Sequence, residues 1–193
     1  MLGNMKAWVR ANRNRLGEIG VTFMLVWLWV TLVLLVMNLY AIKTGAVGID
    51  VLPRLRDELL PYPLKSLFAD ASLGESFLWA LLGSCVMAPL MEETFRAGLC
   101  ELCTDDATGG IKHIFVLLAG SFLGFGLLHG GGYFSIFIQG SLGLLLGRLW
   151  FRTIRRSDGT KSKAWAYASN VCVHAAYNFC VLGIQILVLR THL

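Results

Sequence analysis

Residues 21–42 run for 22 positions without a charged side chain, and four later stretches are almost as apolar: 77–102, 111–129, 133–150 and 164–189. About 20 such residues in a helix cross the hydrocarbon core of a bilayer. An open sheet edge cannot be satisfied in lipid, so each stretch is expected to be helical. The composition agrees. Hydrophobic residues make up 56% of the chain and charged residues 15%, with mean hydropathy +0.64, whereas soluble domains run at about 45–50% and about 25%. The expected fold is all-α: a polytopic transmembrane helical bundle of about five spans. With 193 residues there is room for one integral membrane domain over 1–193 and little else.

Charge orients the bundle. The net charge is +5, and the basic residues gather beside apolar segments. Lys6, Arg10, Arg13 and Arg15 form one cluster; Arg148, Arg152, Arg155, Arg156, Lys161 and Lys163 form the other. Such clusters set topology and attract anionic headgroups, and they argue against nucleic acid as a partner. Five spans place both clusters in the cytoplasm, residues 43–75 and the Gly130-Gly131-Gly132 turn outside, and residues 103–112 inside. The short glycine turn makes the third and fourth helices antiparallel neighbours. The first apolar run is too long for a secretory signal and is read as a retained span. In the 43–75 loop, Pro53, Pro61 and Pro63 flank Asp57-Glu58-Leu59-Leu60, a candidate short surface helix.

Against this background a few polar residues stand out. Glu92, Glu93 and Arg96 lie in the second run, His129 ends the third, and His174 and Asn178 lie in the fifth. Ionisable groups are expensive in lipid, so they normally face a protein interior and have a function. Glu92 and Arg96 are four apart, Glu93 and Arg96 three apart, and both spacings make helical neighbours. An arginine would hold one carboxylate charged, leaving the other free to take up and return a proton. The plain alternative is a charged helix end at the membrane surface. His174 and Asn178, four apart, share a face and can point into one cavity. Two acids, two histidines and an amide on three helices are the parts needed to activate water.

In order, these residues resemble the CPBP family of intramembrane glutamic-type endopeptidases, the CAAX protease and bacteriocin-processing (Abi) family. That family carries Glu-Glu-x-x-x-Arg, then Phe-x-x-x-His, then His-x-x-x-Asn on successive helices. Phe125 to His129 matches the second motif, His174 to Asn178 the third, and Ala88-Pro89-Leu90 the approach to the acidic pair. The resemblance covers a motif-bearing core of about 77–180. One departure is that only Thr94 and Phe95 separate Glu93 from Arg96, where the family has three residues. Aligning on the glutamates keeps both acids; aligning on the arginine puts Met91 in place of the first.

The resemblance implies an intramembrane endopeptidase. Glu92 with His129 would position and deprotonate water, and His174 with Asn178 would stabilise the oxyanion. Glu93, Arg96 and Phe125 would hold the arrangement or contact substrate. No cofactor is expected; zinc at Glu92, His129 and His174 is the alternative, since zinc accepts both ligand types. The partners expected are the lipid bilayer and a membrane-associated protein or peptide substrate. The location expected is a prokaryotic cytoplasmic membrane, multi-pass, with the amino terminus cytoplasmic. A non-catalytic immunity or binding protein of the same family, and a small carrier or proton relay, are the competing functions. The depth of the residues is in tension with a common site: counting 1.5 Å per residue, His129 falls near the outer end of its span and Glu92 nearer the inner half.

Two further signals are structural in character. Gly140, Gly143 and Gly147 form a small-residue stripe suited to close helix packing within the chain. Cys100-x-x-Cys103 is a lone pair, read as reduced thiols near the cytoplasm.

Overall fold

The computed structural model describes residues 9, 12–43, 78–79, 81–102, 111–129, 136–154 and 162–191. Five helices account for them, with no strand among the described residues. Helix α1 is Arg13–Lys43. Helix α2 contains a π-helical turn, Gly83–Met87, and continues as Ala88–Glu101. Helix α3 comprises Ile111–Phe115, a π-helical stretch Val116–Gly124, and Phe125–Leu128. Helix α4 comprises Ile136–Gly140 and Ser141–Thr153, and α5 is Lys163–Thr191. The candidate surface helix at 57–60, the triglycine and Cys103 lie outside the described residues.

Helix α4 is the axis of the bundle and packs against all four other helices. Two apolar clusters surround it. One joins Val26 and Val30 of α1 to Leu142, Leu146 and Leu149 of α4 and Val173 and Tyr177 of α5. The other joins Cys100, Val116, Trp150, Ile154 and Ala166. The glycine stripe of α4 lies directly on α3. A Cβ at Gly140 or Gly143 would collide with the Phe122 or Ser121 carbonyl oxygen, and one at Gly147 with the Leu117 side chain. The stripe therefore serves packing inside the chain, bringing the α3 and α4 backbones together.

Polarity is distributed the reverse of a soluble protein. Met24, Leu28, Met91, Phe95, Phe115, Leu127 and Leu128 are exposed, whereas Glu93, Arg96, Asn170 and His174 are buried. Among the described residues one helix, Arg13–Leu32, is long and apolar enough by itself to cross a membrane, and Lys112–Leu128 is a shorter apolar helix. In α2 and α5 the side chains that build the interior, Glu92, Glu93, Arg96, Asn170, His174 and Asn178, reduce the apolarity of the helix that carries them.

Arg15, Arg148 and Lys163, from both basic clusters, lie toward one end of the bundle. Arg15, near the start of α1, donates from Nη2 to the Ile154 carbonyl at the end of α4 (3.3 Å) and lies over the Trp165 ring of α5. Nearby, Arg148 faces Glu18 at 3.5 Å. On the α2 side, Lys163 pairs with Glu101 at 3.1 Å.

Candidate active site

The acidic pair is divided by helical rotation. Successive residues on an α-helix point about 100° apart, so Glu92 and Glu93 leave the helix in different directions and approach His174 from opposite sides of its ring. Glu93 turns inward and is 1% exposed. Its Oε2 accepts from Arg96 Nε at 2.8 Å, and its Oε1 accepts from His174 Nδ1 at 2.8 Å. The arginine is fixed on two further sides: Nη1 donates to the Gly143 carbonyl at 3.0 Å, and the guanidinium lies 4.3 Å from the Phe125 ring centroid. The close α3–α4 packing permitted by the glycine stripe thus also places an acceptor for Arg96.

Glu92 turns toward the imidazoles. Its Oε1 lies 3.7 Å from His129 Nε2, and its Oε2 lies 3.6 Å from His174 Nε2. Oε2 has no hydrogen-bond partner in the protein. Both gaps exceed a direct hydrogen bond, leaving the three groups around a common space. The side chains of Glu92 and His129 are each 28% exposed while that of His174 is 3% exposed. The space therefore opens past Glu92 and His129 and is closed behind His174.

Each imidazole is held from behind. His129 Nδ1 donates to the Phe125 carbonyl at 2.8 Å, one helical turn back. The Phe125 ring packs on both imidazoles, with centroids 4.5 Å from His129 and 6.2 Å from His174. Phe125 thus touches both histidines and the arginine, which gives Phe-x-x-x-His a geometric meaning. His129 and Glu92 meet despite the mismatch in depth counted from the sequence. The π-helical stretch of α3 contributes, since wider turns advance less per residue than the α-helical rise assumed in the count.

Asn178 makes a different contact. Its Nδ2 donates to the Ser84 carbonyl at 2.6 Å. The reason lies in Pro89. Within the π-helical turn the Ala88 N–H bonds the Gly83 carbonyl, five residues back. The donor due to Ser84 in that pattern would be the N–H of residue 89, and proline has none. Asn178 satisfies the carbonyl that Pro89 orphans, tying α5 to α2 one turn from His174. One amide hydrogen is used in this bond and the second remains.

The three motifs of the sequence are therefore brought together on α2, α3 and α5, and the chain matches the model of a family described as type II CAAX prenyl endopeptidase Rce1-like over residues 74–180. The match spans more than half of the chain. It belongs to the Rce1-like family. This is a family of membrane-embedded proteases, and it is the family that the ordered motifs resemble. No curated protein and no solved structure matched the chain.

In this Rce1-like chain the shortened Glu-Glu-x-x-Arg spacing keeps both acids in distinct places, Glu93 beside Arg96 and Glu92 between the imidazoles. Among the described residues no group of three or more His, Cys, Asp or Glu is arranged to hold a metal ion. Sequence reasoning missed the acceptors at Gly143, Phe125 and Ser84. All are backbone carbonyls, which carry no signal of residue type. It also missed Thr94, whose hydroxyl lies 3.1 Å from that of Tyr167, with both bonded to the Leu90 carbonyl.

Proposed function

We propose that the chain is a polytopic intramembrane endopeptidase that hydrolyses a peptide bond in a membrane-associated protein or peptide. The observation that carries this reading is the placing of one carboxylate, Glu92, between two imidazole nitrogens at the mouth of an otherwise closed polar interior. Glu92 and His129 are the exposed pair, so they position a water molecule and take its proton. A base must lie within reach of that proton, directly or through one water, and such contacts tighten when substrate binds. Asn178, one helical turn from His174, uses one amide hydrogen on the Ser84 carbonyl, and its second supplies a donor for the oxyanion that forms.

The reading requires no metal; Glu92 and His129 themselves activate the water. The membrane part rests on the inverted polarity of the bundle and on the membrane-embedded family to which it belongs. Both basic clusters face the cytoplasm of a prokaryotic cell, with the amino terminus inside.

The test compares protein termini in membranes carrying wild-type chain or Glu92→Gln at equal abundance. New termini dependent on the wild-type chain are expected, and they would name the substrate together with the activity. Identical termini, in a host containing the natural partners, would overturn the proteolytic reading.

A further inference from the structure

Hydrogen-bond polarity at the site has a consequence for His174. The Arg96 guanidinium bonded at 2.8 Å favours the ionised form of Glu93, and an ionised carboxylate only accepts, so the 2.8 Å contact between Glu93 Oε1 and His174 Nδ1 places the proton on Nδ1. Nε2 of the neutral ring then carries a lone pair, and it points toward Glu92 Oε2 at 3.6 Å. In that form His174 cannot donate to an oxyanion; it can only accept a proton and pass it on. Resting on the proteolytic reading above, we infer that Glu93, anchored by Arg96, is a positioning residue that fixes the Nδ1–H tautomer of His174 and thereby makes Nε2 the proton carrier of the reaction.

The geometry supports a balanced sequence. The water oxygen bonds the carbonyl carbon while one water proton passes to Glu92. Glu92 hands it from Oε2, which has no other partner in the protein, to Nε2 of His174. The imidazolium so formed faces Glu92 on one side and Glu93 on the other, which stabilises its charge. It then gives the proton to the amide nitrogen as the C–N bond breaks, with the electron pair of that bond staying on nitrogen. The acid product keeps the water oxygen and its other hydrogen, the amine product keeps the transferred proton, and Glu92 and His174 return to their initial states.

His129 is arranged differently. Its Nδ1 donates to a backbone carbonyl, not a carboxylate, so no second charge supports it from behind. Two acids flank His174 and one faces His129, which separates the carrier from the residue that orients water. Glu92 and Glu93 of α2 face His174 directly; Arg96 reaches it through Glu93 and His129 of α3 through Glu92, and α4 contributes the Gly143 carbonyl that holds Arg96.

The experiment is nitrogen-15 magnetic resonance of the full chain, labelled in its histidine rings and reconstituted in lipid nanodiscs. The His174 signals are assigned as those lost in His174→Gln. In wild type, Nδ1 is expected to stay protonated and hydrogen-bonded across the titration while Nε2 alone gains and loses a proton. In Glu93→Gln the ring is expected to populate both tautomers. A wild-type Nε2–H tautomer overturns the inference, as does a Glu93→Gln spectrum with unaltered tautomer. If Glu93→Gln does not fold, the wild-type spectrum decides alone. A chain that shows the expected signature but generates no termini in membranes keeps the positioning role of Glu93 and overturns the proteolytic reading.

Discussion

At the scale of single residues, the site is a division of labour between two adjacent glutamates. The sequence shows both acids and places Arg96 within reach of either, because positions three and four apart are both neighbours on a helix. Which acid pairs with the arginine depends on where α2 faces the bundle, and that is settled by α4 and α5, not by α2 itself. Phe125 was legible only as part of a motif; its contact with Arg96 and both imidazoles is a tertiary fact. A cation over an aromatic face contributes about 0.5–2 kcal/mol. Phe125→Leu keeps bulk but loses the ring, and is expected to slow cleavage by up to about tenfold with the chain still folded. Phe125→Ala opens a cavity in addition and is expected to cost about 3–5 kcal/mol of stability. Thermal unfolding in detergent, run beside the terminus assay, separates the two effects. A leucine variant with unchanged rate would show that the ring only fills space.

At the scale of helices, the sequence and the structure agree on extent more than on internal form. The stretches 111–129 and 164–189 correspond closely to α3 and α5, because charge and turn residues mark helix ends clearly. The three π-helical segments were not foreseen. A π-helical turn depends on which carbonyl a neighbouring helix or a proline leaves without a donor, and no periodicity of side chains records that. Pro89 and Asn178 show how far apart in sequence the two halves of such a device can be. A buried carbonyl left unpaired costs about 1–3 kcal/mol, so Asn178→Ala is expected to destabilise the chain by about that amount. Pro89→Ala restores an N–H that can serve Ser84, and in that background Asn178→Ala is expected to cost less. A double-mutant cycle read by thermal unfolding measures the difference; equal costs in both backgrounds would refute the link. Gly143 combines two duties, close packing on Ser121 and an acceptor for Arg96. Gly143→Ala is expected to lose about 1–3 kcal/mol through overpacking and to reduce cleavage as Arg96 shifts, whereas Gly98→Ala, which meets nothing within 4 Å, is expected to be neutral in the same assays.

At the scale of the whole molecule, the bundle exposes many large apolar side chains while burying Glu93, Arg96 and His174. A polar interior of this kind is stable only if the exterior is not required to face water, and the exposed Met24, Leu28, Leu127 and Leu128 suit lipid. Charge patterning then determines how the bundle sits. The sequence places both basic clusters on one side by counting spans; the structure brings Arg15, Arg148 and Lys163 to one end by direct contacts with α4, α1 and α2. These are independent routes to the same arrangement, since the first uses only charge and length and the second only geometry. In the proposed membrane bundle, residues at the start of α1 and the start of α5 therefore lie on the same side of the bilayer, and the excess of arginine and lysine is expected to place that side in the cytoplasm. Asn14→Cys and Ser162→Cys sample the two positions beyond the labelling of the native cysteines. In intact cells a membrane-impermeant maleimide is expected to add no label to either variant, and after permeabilisation to label both. Labelling of one variant from outside would break the bundle topology, because the contacts of Arg15 with Ile154 and Trp165 could not then form. Labelling of both from outside would keep the bundle and invert it, placing the mouth of the site beside Glu92 and His129 toward the opposite leaflet and changing which half of a membrane-bound substrate it can reach.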